Sequence, residues 1–107
     1  MKNLANMMKQ AQEMQAKMAD LQSRLDQTEV TGASGGGVVQ VTMTGKGTLR
    51  RVRIDPSLAT PAEVGVLEDL IVAAANDAKA KAEAAAQEET KKLLGGLQLP
   101  PGFNLPF

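Results

Sequence analysis

Apolar residues recur at alternating spacings of three and four through the first quarter of the chain, with no Gly or Pro between them. This pattern predicts one helix from Met1 to about Gln27. The apolar positions form an unbroken heptad seam of Leu4, Met7, Ala11, Met14, Met18, Leu21 and Leu25. The seam is either the core-facing stripe of an amphipathic helix or a seam shared with a partner chain. In the second case the dimer interface would contain Leu4, Met7, Met14, Met18 and Leu21.

Strict alternation of apolar and polar residues replaces this period in the middle of the chain. Val30 and Thr31 begin a first strand, and residues 32–37, rich in Gly, predict a flexible loop. Residues 38–44 are β-branched and alternate as a half-buried strand does. A tight Gly-Lys-Gly turn at 45–47 leads to a further strand over 49–54. We therefore expect a short antiparallel meander.

A second long helix follows, and its start is well marked. Thr60 is placed as N-cap, Pro61 as the first helical residue, and Glu63 completes a capping box. The helical pattern continues to Leu94, with a weak point at Gly65, before two glycines end it. We expect one domain over 1–96 and an uncharged, Pro-rich tail over 97–107.

The predicted helices are too long for the predicted sheet. At about 1.5 Å per residue they would measure roughly 40 and 50 Å. A compact domain of this length has a radius of gyration of only about 13 Å. We therefore predict a homodimer, with an interface formed by the helices, the edge strands or both.

Composition removes most enzyme classes. The chain has 107 residues and no His, Cys, Trp or Tyr, so disulfides, thiolate chemistry and the usual zinc ligands are absent. Ser23, Ser34 and Ser57 lack a Lys/Asp constellation, and neither Gly-rich stretch fits a phosphate loop. We expect a protein that is not an enzyme, with no cofactor and no small-molecule substrate. No signal or spanning segment is visible, which favours a soluble, cytoplasmic protein without a membrane partner.

The net charge of zero conceals a dipolar chain. Through Ile54 there are eight basic and four acidic residues, or +4, and afterwards four basic and eight acidic, or −4. On the helices most charges recur four apart, as in solvent-facing helices stabilised by pairs of about 0.2–0.5 kcal/mol each. These pairs are Lys9/Glu13, Glu13/Lys17, Asp20/Arg24, Asp77/Lys81, Lys79/Glu83 and Glu88/Lys92.

The strand region is different, because residues 30–54 contain four basic residues and no acid: Lys46, Arg50, Arg51 and Arg53. Arg51 and Arg53 are two apart on a strand and should project from one face. Such a group either protects a sheet edge and aids solubility or neutralises phosphates.

The sequence resembles the YbaB/EbfC family of bacterial nucleoid-associated proteins over essentially its whole length. The resemblance is carried by an ordered series of motifs: Met7-Met8-Lys9-Gln10-Ala11-Gln12, Gly35-Gly36-Gly37-Val38-Val39, Gly45-Lys46-Gly47, Val52-Arg53-Ile54-Asp55-Pro56, Leu67-Glu68-Asp69-Leu70-Ile71-Val72-Ala73-Ala74 and Asn76-Asp77-Ala78, then Gly-Gly and a Leu-Pro tail. It implies an α+β, α-β-β-β-α subunit and a tweezer-like homodimer with protruding helices. It also implies binding to double-stranded DNA on the nucleoid, with effects on chromosome organisation and gene expression.

Two sets of residues are candidates for DNA contact. The resemblance points to charged residues of the protruding helices, here Lys2, Lys9, Lys17, Arg24, Lys79 and Lys81. Reasoning from the residues favours Lys46, Arg50, Arg51 and Arg53 instead. Without an aromatic platform for bases, either set would act through phosphates, about 3–5 per dimer, with steep salt dependence. The alternative function is a dimeric protein–protein adaptor without nucleic-acid binding, whose contact surfaces are the Met-rich seam and the tail with Phe103 and Phe107.

Overall fold

The computed structural model describes residues 2–94, and the order of their elements is α-β-β-β-α, as the sequence predicts. The expected domain end at 96 and the tail over 97–107 lie outside the described residues. The helices and strands are α1 (Lys2–Gln27), β1 (Glu29–Ser34), β2 (Val39–Thr44), β3 (Leu49–Ile54) and α2 (Val64–Leu94).

The three strands form one antiparallel sheet in the order β1-β2-β3, which confirms the predicted meander. In the centre of the sheet, Val41 lies between Gly32 and Val52. The register between β2 and β3 shifts after Thr42, because Thr42 pairs with Arg51 whereas Met43 pairs with Leu49. A bulge of this kind changes the direction in which the neighbouring side chains point.

Helix α2 packs over β1 and β2 and supplies the small side chains of the core. Val39, Val41 and Met43 of β2 are buried with Ala74, Ala78 and Ala82 of α2. Alanines bring the helix backbone close to the sheet, because they add almost no thickness between the two. This short distance between helix and sheet determines which residues and contacts are possible on the neighbouring strand β1.

Gly32 shows how close the approach is. A Cβ on Gly32 would overlap the backbone nitrogen of Ala78 and the carbonyl oxygen of Ala74. The prediction that residues 32–37 form a loop is therefore wrong for residues 32–34, which belong to β1. Only Gly35–Gly37 form the turn, and their φ angles of 60°, 73° and 98° require glycine.

The start of the second helix also differs from the prediction. Pro61–Glu63 form a 3₁₀ turn, and the α-helix begins at Val64. The predicted capping box does not form, because the Thr60 side chain makes no capping hydrogen bond. The Glu63 N–H, which the box would direct to the Thr60 hydroxyl, instead donates to the Thr60 carbonyl oxygen at 3.0 Å.

Helix α1 packs through its C-terminal end and projects at its N-terminal end. Leu21 and Leu25 are buried, whereas Leu4 and Met7 are exposed. The molecule accordingly extends 72 × 24 × 17 Å, with a radius of gyration of 19.6 Å. Both values agree with the expectation that the helices outgrow the sheet. No helix in residues 2–94 combines the length and apolar character that crossing a membrane requires.

The contact at Gly32 generates a stability prediction. We expect Gly32→Ala to lower the free energy of unfolding by about 1–3 kcal/mol or more, because the added methyl group overpacks two backbones that cannot separate cheaply. The control is Gly65→Ala in α2, where a Cβ meets no atom within 4 Å. Urea denaturation followed by circular dichroism, at one protein concentration, compares the two variants. An equal stability for Gly32→Ala and the native chain would contradict this packing.

Candidate nucleic-acid interface

The sheet has a polar face on the side opposite α2. Because side chains alternate along a strand, the residues next to Val39 and Val41 point away from the helix. Arg51 pairs across the sheet with Thr42, and Arg53 with Gln40, so both arginines lie on this polar face. The face contains a shallow depression of about 340 Å³ lined by Thr31, Gln40, Thr42, Arg51, Val52 and Arg53.

The structure divides the four basic residues of the strand region into two pairs. Lys46 Nζ lies 3.5 Å from Asp26 Oδ2, and Arg50 Nη2 donates to the Asp26 carbonyl oxygen at 3.4 Å. These two residues therefore lie against the C-terminal end of α1. Arg51 and Arg53 lie on the polar face instead.

The two arginines of the polar face are both accessible. Arg51 Nη2 forms an ion pair of 3.2 Å with Glu29 Oε1, in which both side chains are largely exposed. Such exposed pairs contribute only about 0–1 kcal/mol, so this contact holds the Arg51 side chain weakly. Arg53 makes no ion pair within the described residues.

On the helices, the structure forms only two of the six predicted i, i+4 pairs. Arg24 Nε lies 2.9 Å from Asp20 Oδ2, and Arg24 also approaches Glu89 at 3.8 Å. Lys81 Nζ lies 3.2 Å from Asp77 Oδ2. Among the residues described, the basic side chains of the helix set without an acid within 4.0 Å are Lys9, Lys17 and Lys79. The Lys2 side chain lies outside the described part.

Three side-chain contacts tie the outer edge of β1 to α2. Asp77 Oδ2 accepts a hydrogen bond from the Ala33 N–H at 3.0 Å, and Lys81 Nζ donates to the Thr31 carbonyl oxygen at 3.0 Å. Ser34 Oγ donates to the Leu70 carbonyl oxygen at 2.6 Å. The first two contacts occupy backbone groups of β1 that another strand would need, and the third fastens the end of β1 to the helix. Sequence reasoning missed this role, since Asp77 and Lys81 fit a solvent-facing helix pair equally well.

The opposite edge of the sheet is open. Among residues 2–94, strand β3 pairs only with β2, and α2 lies over β1 and β2. Leu49 and Val52 of β3 are 55% and 40% exposed, and Val52 lies on the same face as the buried Val41. An uncovered edge with apolar side chains is a surface at which another strand can add.

The dimer residues predicted on α1 are not equivalent in the structure. Leu21 is fully buried within its own protomer. Met14 and Met18 are half-buried, and Leu4 and Met7 are exposed. The seam thus serves the core at its C-terminal end and is open at its N-terminal end.

Other features of the described residues offer no chemistry. A cavity of about 500 Å³ between α1, the β2–β3 turn and α2 has a largely apolar floor that includes Leu25, Ala82 and Ala86. Within residues 2–94 no group of three or more Asp or Glu side chains is placed to hold a metal ion. Asp55 accepts a hydrogen bond from the Ser57 N–H, which lowers the pKa of its carboxyl and holds the turn after β3.

The edge contact of Asp77 predicts a pH dependence. The pKa of Asp77 is lowered from 3.8, first because the Ala33 N–H donates to the carboxylate and second because Lys81 does. A lowered pKa stabilises the fold above the unfolded-state pKa, and this contribution is lost as the pH falls through the folded-state pKa. We expect Asp77→Asn to lower the Tm at about pH 7 and to have a smaller effect at about pH 2.5, which lies below the ordinary pKa of Asp, so that the contribution of the carboxylate is being lost.

Circular dichroism melts at the two pH values measure this difference. Asp69→Asn on the same helix is the control, since Asp69 makes no ion pair or side-chain hydrogen bond within the described residues. A Tm difference for Asp77→Asn that is the same at both pH values would contradict the edge contact.

Comparisons with known proteins identify the family of this chain. The YbaB/EbfC DNA-binding family matches residues 1–97. A nucleoid-associated protein of Paramagnetospirillum magneticum is 64% identical, and one of Granulibacter bethesdensis is 60% identical, each over 100% of both chains. The crystal structure of an uncharacterized protein from Helicobacter pylori superposes with a TM-score of 0.68 at 26% identity, covering 87% of this chain and 94% of that one. The chain belongs to the YbaB/EbfC DNA-binding family.

Proposed function

We propose that this protein is a nucleoid-associated protein that binds duplex DNA as a homodimer, mainly through phosphate contacts, and so influences chromosome organisation and gene expression. The family assignment and the names of the relatives support binding to DNA and association with the nucleoid. The observation that carries the proposal is the position of Arg51 and Arg53, which share an uncovered polar face beside the open edge of the sheet.

The dimer forms at β3. The edge of β1 is occupied by Asp77 and Lys81, whereas β3 has a neighbour on one side only within the part of the chain that the structure describes. Antiparallel pairing of β3 with its copy satisfies the backbone groups along that edge and buries Leu49 and Val52. The α1 helices of the two subunits then project from a common sheet, which is the tweezer-like arrangement.

Dimerisation at β3 assembles the DNA-binding surface. Arg51 and Arg53 lie on the edge strand, so pairing two copies brings four arginines together on one face. Around them are the exposed Thr31 hydroxyl and the half-buried Gln40 amide, and groups of these kinds also donate to phosphates. The chain has no Trp or Tyr and its two Phe are at 103 and 107, so this face carries no platform for stacking bases. Contacts of this kind read the backbone and not the sequence.

Charge on β3 tests the dimer. We expect the double variant Leu49→Lys/Val52→Lys to be monomeric, because two ammonium groups and their symmetry mates would repel in the interface. Val72→Lys is the control, since Val72 is exposed to a similar degree on α2. Sedimentation velocity at micromolar concentration gives the mass, and circular dichroism verifies that both variants are folded. A dimeric Leu49→Lys/Val52→Lys protein would place the interface elsewhere.

Neutral substitutions test the DNA surface. We expect Arg51→Gln/Arg53→Gln to weaken duplex binding and to remove most of its salt dependence, since the slope of log K against log salt is about −0.9 per phosphate. With about 3–5 phosphates the native slope is about −2.7 to −4.5. The matched comparison is Lys9→Gln/Lys17→Gln on α1, which removes the same charge per subunit. Gel shifts at two ionic strengths, with competitor DNA, measure both affinity and specificity.

The two alternatives give different results in the same gel shifts. If the slope falls only for Lys9→Gln/Lys17→Gln, the helices contact the DNA and the sheet assignment is wrong. If the native protein does not bind duplex DNA, or binds independently of salt, the proposal fails and the adaptor function replaces it.

A further inference from the structure

Helix α1 carries an apolar stripe that the described residues leave uncovered. The stripe consists of Leu4, Met7, Met8 and Ala11, and the first three are 62%, 64% and 59% exposed. Every residue from 3 to 13 is exposed. An amphipathic helix in water owes its stability mainly to packing of its apolar face, so a stripe of this kind marks a contact surface.

We propose that residues 97–107 of the same chain bind this stripe. The inference concerns a surface separate from the sheet and does not depend on DNA binding.

The course of the two helices places the end of α2 beside the stripe. Leu25 of α1 lines the same cavity as Ala82 and Ala86 of α2, and Arg24 approaches Glu89, so the helices run antiparallel. Helix α2 ends at Leu94, five residues and thus about 8 Å beyond Glu89. Beyond the end of α2, about 15 residues of α1 remain toward its N-terminus, which correspond to about 22 Å of helix. The following segment therefore leaves α2 where α1 loses its cover.

The composition of the segment fits the stripe. Residues 95–107 contain no charged residue, and both aromatic residues of the chain, Phe103 and Phe107, are among them. Methionine side chains adapt to irregular shapes and make favourable contacts with aromatic rings. The apolar residues of the segment are Leu97, Leu99, Phe103, Leu105 and Phe107.

Length and direction also fit. Gly95 and Gly96 end the helical pattern, and because α2 already runs toward the N-terminus of α1, a segment that continues in the same direction follows the stripe without reversing. The following 11 residues span about 34 Å when extended at about 3.1 Å per residue, which exceeds the 22 Å that remain of α1. Lys9 lies on the opposite side of α1 from the stripe, so the segment covers apolar surface and leaves that charge in water.

Covalent attachment favours this segment over a second copy of α1. A tethered group is present at an effective concentration of about millimolar, which exceeds micromolar solution concentrations of a separate subunit. The same stripe on another subunit is the main competitor, and the experiment distinguishes the two.

A distance measurement tests the contact in the full-length chain. Because the chain has no Cys, Gln12→Cys and Asn104→Cys introduce two unique sites for nitroxide labels. We expect a narrow distance distribution centred within about 25 Å, since the helix is only about 10–12 Å wide and the segment lies along it. Mixing with about tenfold excess unlabelled protein isolates distances within one chain by mass action. The narrow distance is expected to persist after mixing.

Variants of the stripe provide the control. Leu4→Ser/Met7→Ser is expected to broaden the distribution, whereas Val66→Ser/Val72→Ser, at exposed valines of α2, leaves it narrow. In parallel, Phe103→Ser/Phe107→Ser is expected to accelerate hydrogen exchange at the amides of residues 4–12 by about tenfold, with residues 70–82 unchanged.

Two results would overturn the proposal. A broad distribution in the native background means that the segment does not bind the stripe. A narrow distance that disappears on mixing means that the stripe is covered by a second copy.

Discussion

The close contact between α2 and β1 is the constraint on which the rest of the structure depends. The absence of a side chain at Gly32 lets the helix backbone at Ala74 and Ala78 touch the strand. At that distance Asp77 and Lys81 reach the backbone of β1, and the edge is closed. Because α2 packs on β1 and β2, it does not cover β3, and no other element of residues 2–94 pairs with the outer edge of that strand.

The packing of α2 on β1 and β2 also determines where the acidic and basic side chains lie. Much of the acidic surplus lies on α2, where Asp77 holds the sheet edge and Glu89 approaches Arg24. The polar face of the sheet carries Arg51 and Arg53 with one acid, Glu29, at its margin. A chain with no net charge can therefore present a basic surface, because much of the opposite charge lies on α2, on the other side of the sheet.

The sequence predicts the elements well because their periodicities are long and unbroken. Both helices and two strands follow from spacing alone, and Arg51 and Arg53 share a face because strands alternate. The errors have long-range or competing causes. Gly32 indicates a turn locally, but its partner is a helix more than 40 residues away. At Thr60 the backbone carbonyl oxygen, and not the side-chain hydroxyl of the expected capping box, accepts the hydrogen bond from Glu63. Asp77 accepts a hydrogen bond from the Ala33 N–H, which is 44 residues away in the sequence. The seam is uniform in sequence, and only the position of α2 shows that Leu21 is core and Leu4 is not.

The unequal edges of the sheet limit how many copies can join. A subunit with two open edges could add neighbours without end and form fibres, as unprotected strands do. Here a carboxylate and an ammonium group block one side of the described sheet. In the proposed dimer, a second copy pairs with β3 on the remaining side, and growth would stop at two. On a polymer such as DNA, the proposed dimer would form discrete particles in place of a continuous filament.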